Sequence, residues 1–211
     1  MGKIPNQNIA VVFDQPAEDG YNVSINEPAF CNDLKVEAES LIFNIAYKLH
    51  VDGDFVLDEQ VFFDGEGKVV FELEEGNLWD SSNSIFSGPV EFQGAGCTIS
   101  SHLFTQNKSI TIDTDWFNAD GKVMTCASFL MPAATDINVT GSSIYVNEEI
   151  TVSSEVRVTQ TGETILLSNS ITEEHIHPGE FEIAYSANRT ATCGEGDGQT
   201  PFTIEAIVNT D

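Results

Sequence analysis

The stretch ITIDTDWFNADGKVMTCASFL, residues 110–130, decides the fold that the sequence predicts. Apolar and polar side chains alternate from Ile110 to Phe117, and alternation with a period of two is typical of β-strands that bury one face. A second strand-like run extends from Lys122 to Leu130. The connection between the runs, Asn118-Ala119-Asp120-Gly121, is short and contains glycine, as tight hairpin turns do. We therefore predict two antiparallel strands joined by a hairpin.

The same pattern recurs on both sides of this stretch. Residues 55–73 and residues 150–171 each contain two strand-like runs that flank a short, glycine-containing connection. Short strands at regular spacing, with turn residues between them, are typical of sandwiches and barrels. The sequence therefore predicts an all-β protein, an antiparallel β-sandwich or barrel-like fold of about 10–12 strands.

One segment fits two structures. Between residues 33 and 49, six apolar side chains fall on one helical stripe, and Asn32 or Asp33 is able to cap a helix there. The same segment also alternates as a strand, and its aromatic and β-branched residues favour the strand. A single packed helix near residues 33–49 is therefore the alternative to a further strand.

The length and composition fit one globular unit. Hydrophobic residues make up 41% of the 211 residues, which is enough to form a core and argues against disorder. We predict a single β domain over residues 1–211. The alternative is a subdivision into 1–132 and 136–211 at the segment after Pro132, although the second piece would be small for an independent domain.

The charge excludes several partners. The chain has 34 acidic residues against 8 lysines and arginines, a formal net charge of −26. So negative a surface repels phosphate groups, and we expect no binding to nucleic acid. We also expect no direct membrane insertion, because no run approaches the roughly 18 apolar residues of a spanning helix. A signal peptide is not visible in residues 1–6.

The four cysteines, Cys31, Cys97, Cys126 and Cys193, match no zinc-binding spacing. Two disulfides would be compatible with the count. We favour free and mostly buried thiols, as in a reducing compartment.

Two groups of residues are candidate metal ligands. Asp113, Asp115 and Asp120 place carboxylates on one face of a strand and in the turn after it, and calcium prefers such oxygen ligands. His175 and His177 would share one face of a strand, and an H-x-H pair is a common part of a transition-metal site. For both groups, a polar turn without a metal is the competing interpretation. Calcium is the only cofactor that we predict.

Aromatic residues give a further alternative. A set of them could form a sugar-binding platform, although packing in the core is the more common role of large aromatics. Phe62 and Phe63 are adjacent and must point to opposite sides of a strand, so one of them is a candidate for exposure. The predicted platform residues are Trp79, Trp116, Phe117 and Tyr145.

The sequence contains no nucleophile elbow and no phosphate-binding loop, so we predict that the protein is not an enzyme. We predict a structural subunit of a larger assembly, a virion component or a surface filament, whose partners are copies of itself or other subunits. The expected location is the virion or the extracellular surface. The alternative is an adhesin-like or carbohydrate-binding module stabilised by calcium. A second alternative is a metal-dependent enzyme at His175 and His177.

Overall fold

A computed structural model describes residues 8–14, 21–38, 41–152, 157–159, 165–168, 181–184, 190–193 and 202–204. All regular structure in these ranges is β-structure. The described residues include no helix of the length and apolarity needed to cross a membrane. The strands are β1 (Val11–Phe13), β2 (Tyr21–Ile25), β3 (Ala29–Cys31), β4 (Leu34–Val36), β5 (Leu41–Ile45), β6 (Leu49–Val51), β7 (Phe55–Leu57), β8 (Phe62–Asp64), β9 (Val69–Leu73), β10 (Trp79–Asp80), β11 (Ile85–Phe86), β12 (Val90–Thr98), β13 (Leu103–Thr105), β14 (Ile110–Asn118), β15 (Val123–Met131), β16 (Asp136–Asn138), β17 (Ser143–Val152), β18 (Arg157–Thr159), β19 (Ile165–Ser168), β20 (Phe181–Ala184), β21 (Thr190–Cys193) and β22 (Phe202–Ile204).

The strands β1 to β19 stack in parallel and form a β-solenoid of about six turns. Each turn adds one strand to each of three ladders. Ladder A begins with β1, β4, β7 and β10, ladder B with β2, β5, β8, β11 and β13, and ladder C with β3, β6 and β9. The longer strands β12, β14, β15 and β17 bend around corners and so contribute to two ladders each. Neighbours in a ladder therefore come from successive turns and never from a hairpin.

The strands β20 to β22 form a separate three-stranded sheet. In it β20 pairs antiparallel with β21 and parallel with β22. Within the solenoid, β15 and β17 lie on either side of residues 133–135 and pair along most of their length. The single domain over residues 1–211 stays a prediction.

The prediction of an antiparallel sandwich or barrel is wrong, because the short connections do not reverse the chain. After β14, the turn at residues 118–121 leads to the next face of the coil, and Ile110 then pairs in parallel with Phe129. The glycine-containing connection at residues 64–67 also leads from one face of the coil to the next, since β8 belongs to ladder B and β9 to ladder C. Alternation predicts a strand, but it does not give the direction of its partner.

The alternative of a packed helix near residues 33–49 is also wrong. The described part of this segment contains β4, β5 and the start of β6, one strand for each ladder. Leu34, Leu41, Ile45 and Leu49 are all buried because each strand turns its apolar side towards the axis of the coil. Their spacing resembles a helical stripe only because the coil turns between them.

The core is a set of aromatic stacks along the coil axis. Neighbouring strands in a sheet lie about 4.8 Å apart, so inward side chains in register lie one above the other at similar spacing. In ladder B the ring centroids of Phe43 and Phe63 are 5.0 Å apart, and those of Phe63 and Phe86 are 4.6 Å apart. In ladder C the rings of Phe71 and Phe92 are 5.3 Å apart. The sequence supplies this core by placing an aromatic at matching inward positions of successive turns.

Candidate functional site

An outward-facing column of apolar side chains runs along ladder B. We call it the face-B column. Its members pair in register from one turn to the next, with Thr125 between the last two. They are Ile42, Phe62, Ile85, Phe104 and Tyr145. Alternation along each strand explains the arrangement, because the residue beside each inward side chain must point outward.

The face-B column is partly exposed to solvent along its length. Ile42 and Phe62 each keep 40% of their surface exposed, and the other members are half-buried. Five strand spacings separate Ile42 from Tyr145, so the column is about 24 Å long. Contiguous apolar surface of this kind marks contact or ligand-binding sites more often than scattered apolar residues do.

The surroundings of the face-B column are polar and acidic. Asn44 donates a hydrogen bond to Asn22 across neighbouring strands at 2.5 Å, and Asp64 is exposed at the end of the strand that carries Phe62. Elsewhere on the described surface, Lys68 pairs with Glu91. The apolar column therefore lies in a rim of neutral amides and carboxylates.

Glu91 shows how the few lysines are used. Burial works to raise the pKa of Glu91, but the hydrogen bond and charge of Lys68 and the amide of Gln93 outweigh it, so the pKa is lowered. Lys35 with Glu37 and Lys108 with Glu66 form further pairs on the described surface. Three of the eight lysines and arginines are thus paired with carboxylates, and the remaining acidic residues make the surface potential negative.

The structure does not gather the predicted calcium ligands into one cluster. Asp113 and Asp115 are both exposed on β14, and Asp120 is exposed in the turn that follows. Among the described residues, three metal-ligating side chains converge within 4.8 Å at one place, and that place is formed by other residues. The calcium site at these aspartates stays a prediction. His175 and His177 lie outside the described residues.

The group that does converge is His50, Asp52 and Glu72. The sequence offered little indication of it, because His50 has no second histidine nearby and Glu72 is about 20 residues, one turn, further along the chain. His102, the other described histidine, accepts a hydrogen bond at Nδ1 from the backbone N–H of Val123 at 3.0 Å. It therefore has a structural partner.

The predicted aromatic platform is divided between core and surface. Trp79 and Phe117 are buried in the core, whereas Trp116 and Tyr145 are half-buried. The opposite orientation of Phe62 and Phe63 is confirmed, since Phe63 is 1% exposed. Tyr145 belongs to both the predicted platform and the face-B column. Of the exposed aromatics, Phe62 lies on the column, whereas Phe30 and Tyr47 lie off it.

The chain matches no protein-family model, no curated protein and no solved structure.

The prediction of free, buried thiols is confirmed for Cys31, Cys97 and Cys126. Burial, with a smaller contribution from the charges of Asp52 and Asp33, raises the pKa of Cys31 to about 12. Burial also raises the pKa of Cys126 to about 12 and raises that of Cys97. The thiolate is the reactive form of cysteine. These three thiols therefore react slowly for two reasons: reagents cannot reach them, and few of them are ionised.

We expect the three buried thiols to react with a disulfide reagent at pH 8 on the order of 1,000-fold more slowly in the folded protein than in denaturant. The factor follows from burial, which raises the pKa of Cys31 and Cys126 to about 12 and so lowers their thiolate fraction at pH 8 about 1,000-fold, and which also raises the pKa of Cys97. The rates are to be measured in a Cys193→Ser background, so that only these thiols are counted. Labelling of the folded protein at the denatured rate would contradict the burial described here.

Proposed function

We propose that the protein is a non-enzymatic structural subunit of a larger assembly, and that it contacts its partner subunits through the face-B column. A surface filament or a virion component is the class of assembly that we favour. The single observation that supports the proposal is the apolar column itself, which successive turns present in register. A contiguous apolar column on the outside of a coil suits lateral packing against another subunit.

The dimensions support a protein contact. A stable interface buries roughly 800 Å² on each partner, a patch roughly 30 Å across. The face-B column is about 24 Å long, and its polar rim resembles the rim of ordinary interfaces. Covering Ile42 and Phe62 would remove from water the two members that are most exposed in the free coil.

The charge sets a condition on self-assembly. Two copies with a formal charge of −26 each repel one another at low ionic strength. Salt limits the range of this repulsion to roughly 10 Å at 0.1 M, and the range becomes shorter as the salt concentration rises. Salt does not weaken the apolar contact. Association between copies is therefore expected to strengthen as salt is raised, and association with a basic partner subunit is expected to weaken.

Removing the apolar side chains tests the proposal. We expect the double variant Ile42→Ser/Phe62→Ser to weaken association by at least about 10-fold, which corresponds to about 1.4 kcal/mol. The measurement is the mass by light scattering over a concentration series at low and high salt. The matched control is Tyr47→Ser/Leu78→Ser, which removes two side chains that are 55% and 59% exposed and lie off the column.

The two variants separate a specific contact from general stickiness. Equal loss of association in both would remove the face-B column from the proposal. A wild-type chain that stays monomeric at every salt concentration and protein concentration, alone and with candidate subunits, would overturn the assembly function.

A binding module for carbohydrate is the second candidate, and one observation favours it. Phe62, Phe104 and Tyr145 lie on the face-B column at every second turn, which spaces the aromatic rings along a line. Aromatic faces on a flat surface are suited to stacking on sugar rings. Titration of oligosaccharides, with Phe62→Ser as the test variant and Leu78→Ser as control, distinguishes this function from assembly. Calcium at Asp113, Asp115 and Asp120 would be tested by adding EDTA.

A further inference from the structure

His50, Asp52 and Glu72 come together on the outer surface of ladder C, where two successive turns meet. His50 lies in β6 and Glu72 in β9, and these strands pair in parallel with Val51 opposite Phe71. Asp52 follows His50 by two residues, so both point to the same side. Continuing the register by one residue places Asp52 beside Glu72. The three side chains therefore converge because the coil stacks them, although the chain separates them by a full turn.

The distances are those of groups that share an ion. His50 Nε2 lies 3.1 Å from Asp52 Oδ1 and 3.0 Å from Glu72 Oε2. Ligands bound to one transition-metal ion at about 2.0–2.2 Å are separated from one another by roughly 3.0 Å in octahedral and roughly 3.4 Å in tetrahedral coordination. All three ligand atoms lie within 4.8 Å of one another.

These contacts are close, but they are not hydrogen bonds. Within the described part of the chain, neither nitrogen of His50 makes a hydrogen bond, and Asp52 Oδ1 accepts none. Both observations hold when the Nε2–H bond of His50 points at neither Asp52 Oδ1 nor Glu72 Oε2, because a hydrogen bond requires alignment as well as a short distance. Buried polar atoms nearly always have a hydrogen-bond partner, so an imidazole nitrogen and a carboxylate oxygen that lie 3.1 Å apart without a hydrogen bond require an explanation.

His50 is too deeply buried for water to replace the missing hydrogen bonds easily. Its side chain is only 10% exposed, and its ring lies 5.4 Å from the ring of Phe30 in the preceding turn. Glu72, by contrast, is 55% exposed. The group therefore has a fixed, buried nitrogen on one side and an opening to solvent on the other.

We infer that His50, Asp52 and Glu72 bind a divalent first-row transition-metal ion. An imidazole nitrogen with two carboxylate oxygens suits zinc, iron or manganese, whereas calcium prefers oxygen ligands alone. Three protein ligands leave at least one coordination position for water on the exposed Glu72 side. The ion links two turns of the coil, and this role is independent of the assembly proposed above.

The test uses the full chain in a His175→Gln/His177→Gln background, so that the predicted H-x-H pair does not contribute. We expect one Zn²⁺ per chain by calorimetry at pH 7, and Co²⁺ is expected to give a visible absorption spectrum that Zn²⁺ abolishes. His50→Gln is expected to weaken Zn²⁺ binding by at least about 10–100-fold. Zn²⁺ is expected to raise the melting temperature of the background protein but not that of the His50→Gln variant.

The control is His102→Gln, which changes a histidine with a structural partner and is expected to leave Zn²⁺ affinity unchanged. Glu72→Gln is the second test variant, since an exposed side chain is replaced without a change of shape and folding is not at risk. It is expected to weaken binding as well. A background protein that binds neither Zn²⁺ nor Co²⁺ would show that the group is an ion pair only. Unchanged affinity in His50→Gln and Glu72→Gln would place the ion elsewhere, and either result overturns the inference.

Discussion

Replacing Phe71 by alanine is expected to lower the free energy of unfolding by about 3–5 kcal/mol. Phe71 is fully buried, and its ring lies 4.6 Å from the ring of Phe55 and 5.3 Å from that of Phe92. It also packs edge-on against Trp79 at 5.7 Å. Removing the ring leaves a cavity at the centre of several stacks, and close-packed turns above and below limit how far the walls can collapse. Urea unfolding followed by tryptophan fluorescence measures the loss.

The control for this prediction is Phe62→Ala, the same change on the outer surface of the coil. Phe62 is 40% exposed, so its removal creates no enclosed cavity, and a cost below about 1 kcal/mol is expected. Similar losses for the two variants would mean that the aromatic stacks do not form the core described here.

Replacing Gly96 by alanine is expected to lower the free energy of unfolding by about 3–5 kcal/mol. Gly96 has φ of +132°, and a Cβ there would lie 2.0 Å from the backbone oxygen of Trp116 in the next turn. Neither the backbone conformation nor the space admits a side chain. The two turns would have to separate at the corner of β12, where Gly96 and Trp116 are paired in register. Thermal unfolding followed by circular dichroism is the measurement.

Gly121→Ala is the matched control for Gly96→Ala. Gly121 also has a positive φ of +66°, but nothing lies within 4 Å of the added Cβ. Its cost is therefore only the strain of a left-handed alanine, about 1–2 kcal/mol. The difference between the two variants reports the clash between turns, and a difference near zero would contradict the close stacking at this corner.

Some strands could be predicted from the sequence, but neither their number nor their arrangement could, since the described residues form 22 strands and about 10–12 were predicted. The runs predicted at 110–117 and 122–130 are β14 and β15 to within a residue at each end. What failed was the pairing, since the period of two is the same in parallel and antiparallel sheets. The repeat of the coil was hidden because its length varies. Ile85 pairs with Phe104, 19 residues on, while Phe55 pairs with Trp79, 24 residues on. The phenylalanines that do recur in ladder B, Phe43, Phe63 and Phe86, do so at unequal separations in the sequence, so they do not reveal a repeat.

The orientation of a surface side chain could be predicted from the sequence, whereas its neighbours on adjacent turns could not. That one of Phe62 and Phe63 would face outward followed from alternation alone. That Phe62 would lie beside Ile42 and Ile85 required knowledge of the stacking register. The same is true of His50 and Glu72, which are neighbours only across a turn. A sequence without an evident repeat reveals which side chains share a strand, but not which strands share a face.

The stacking of turns in register also separates the length of the coil from its width. Each additional turn extends every ladder by one strand, or about 4.8 Å along the axis. The width depends only on what fits inside a turn, where residues such as Phe55 and Trp79 already fill the space. Gain or loss of one unit of roughly 20 residues would therefore change how far the protein reaches without redesigning its interior. The length of the coil can therefore change in steps of one turn while its cross-section stays the same.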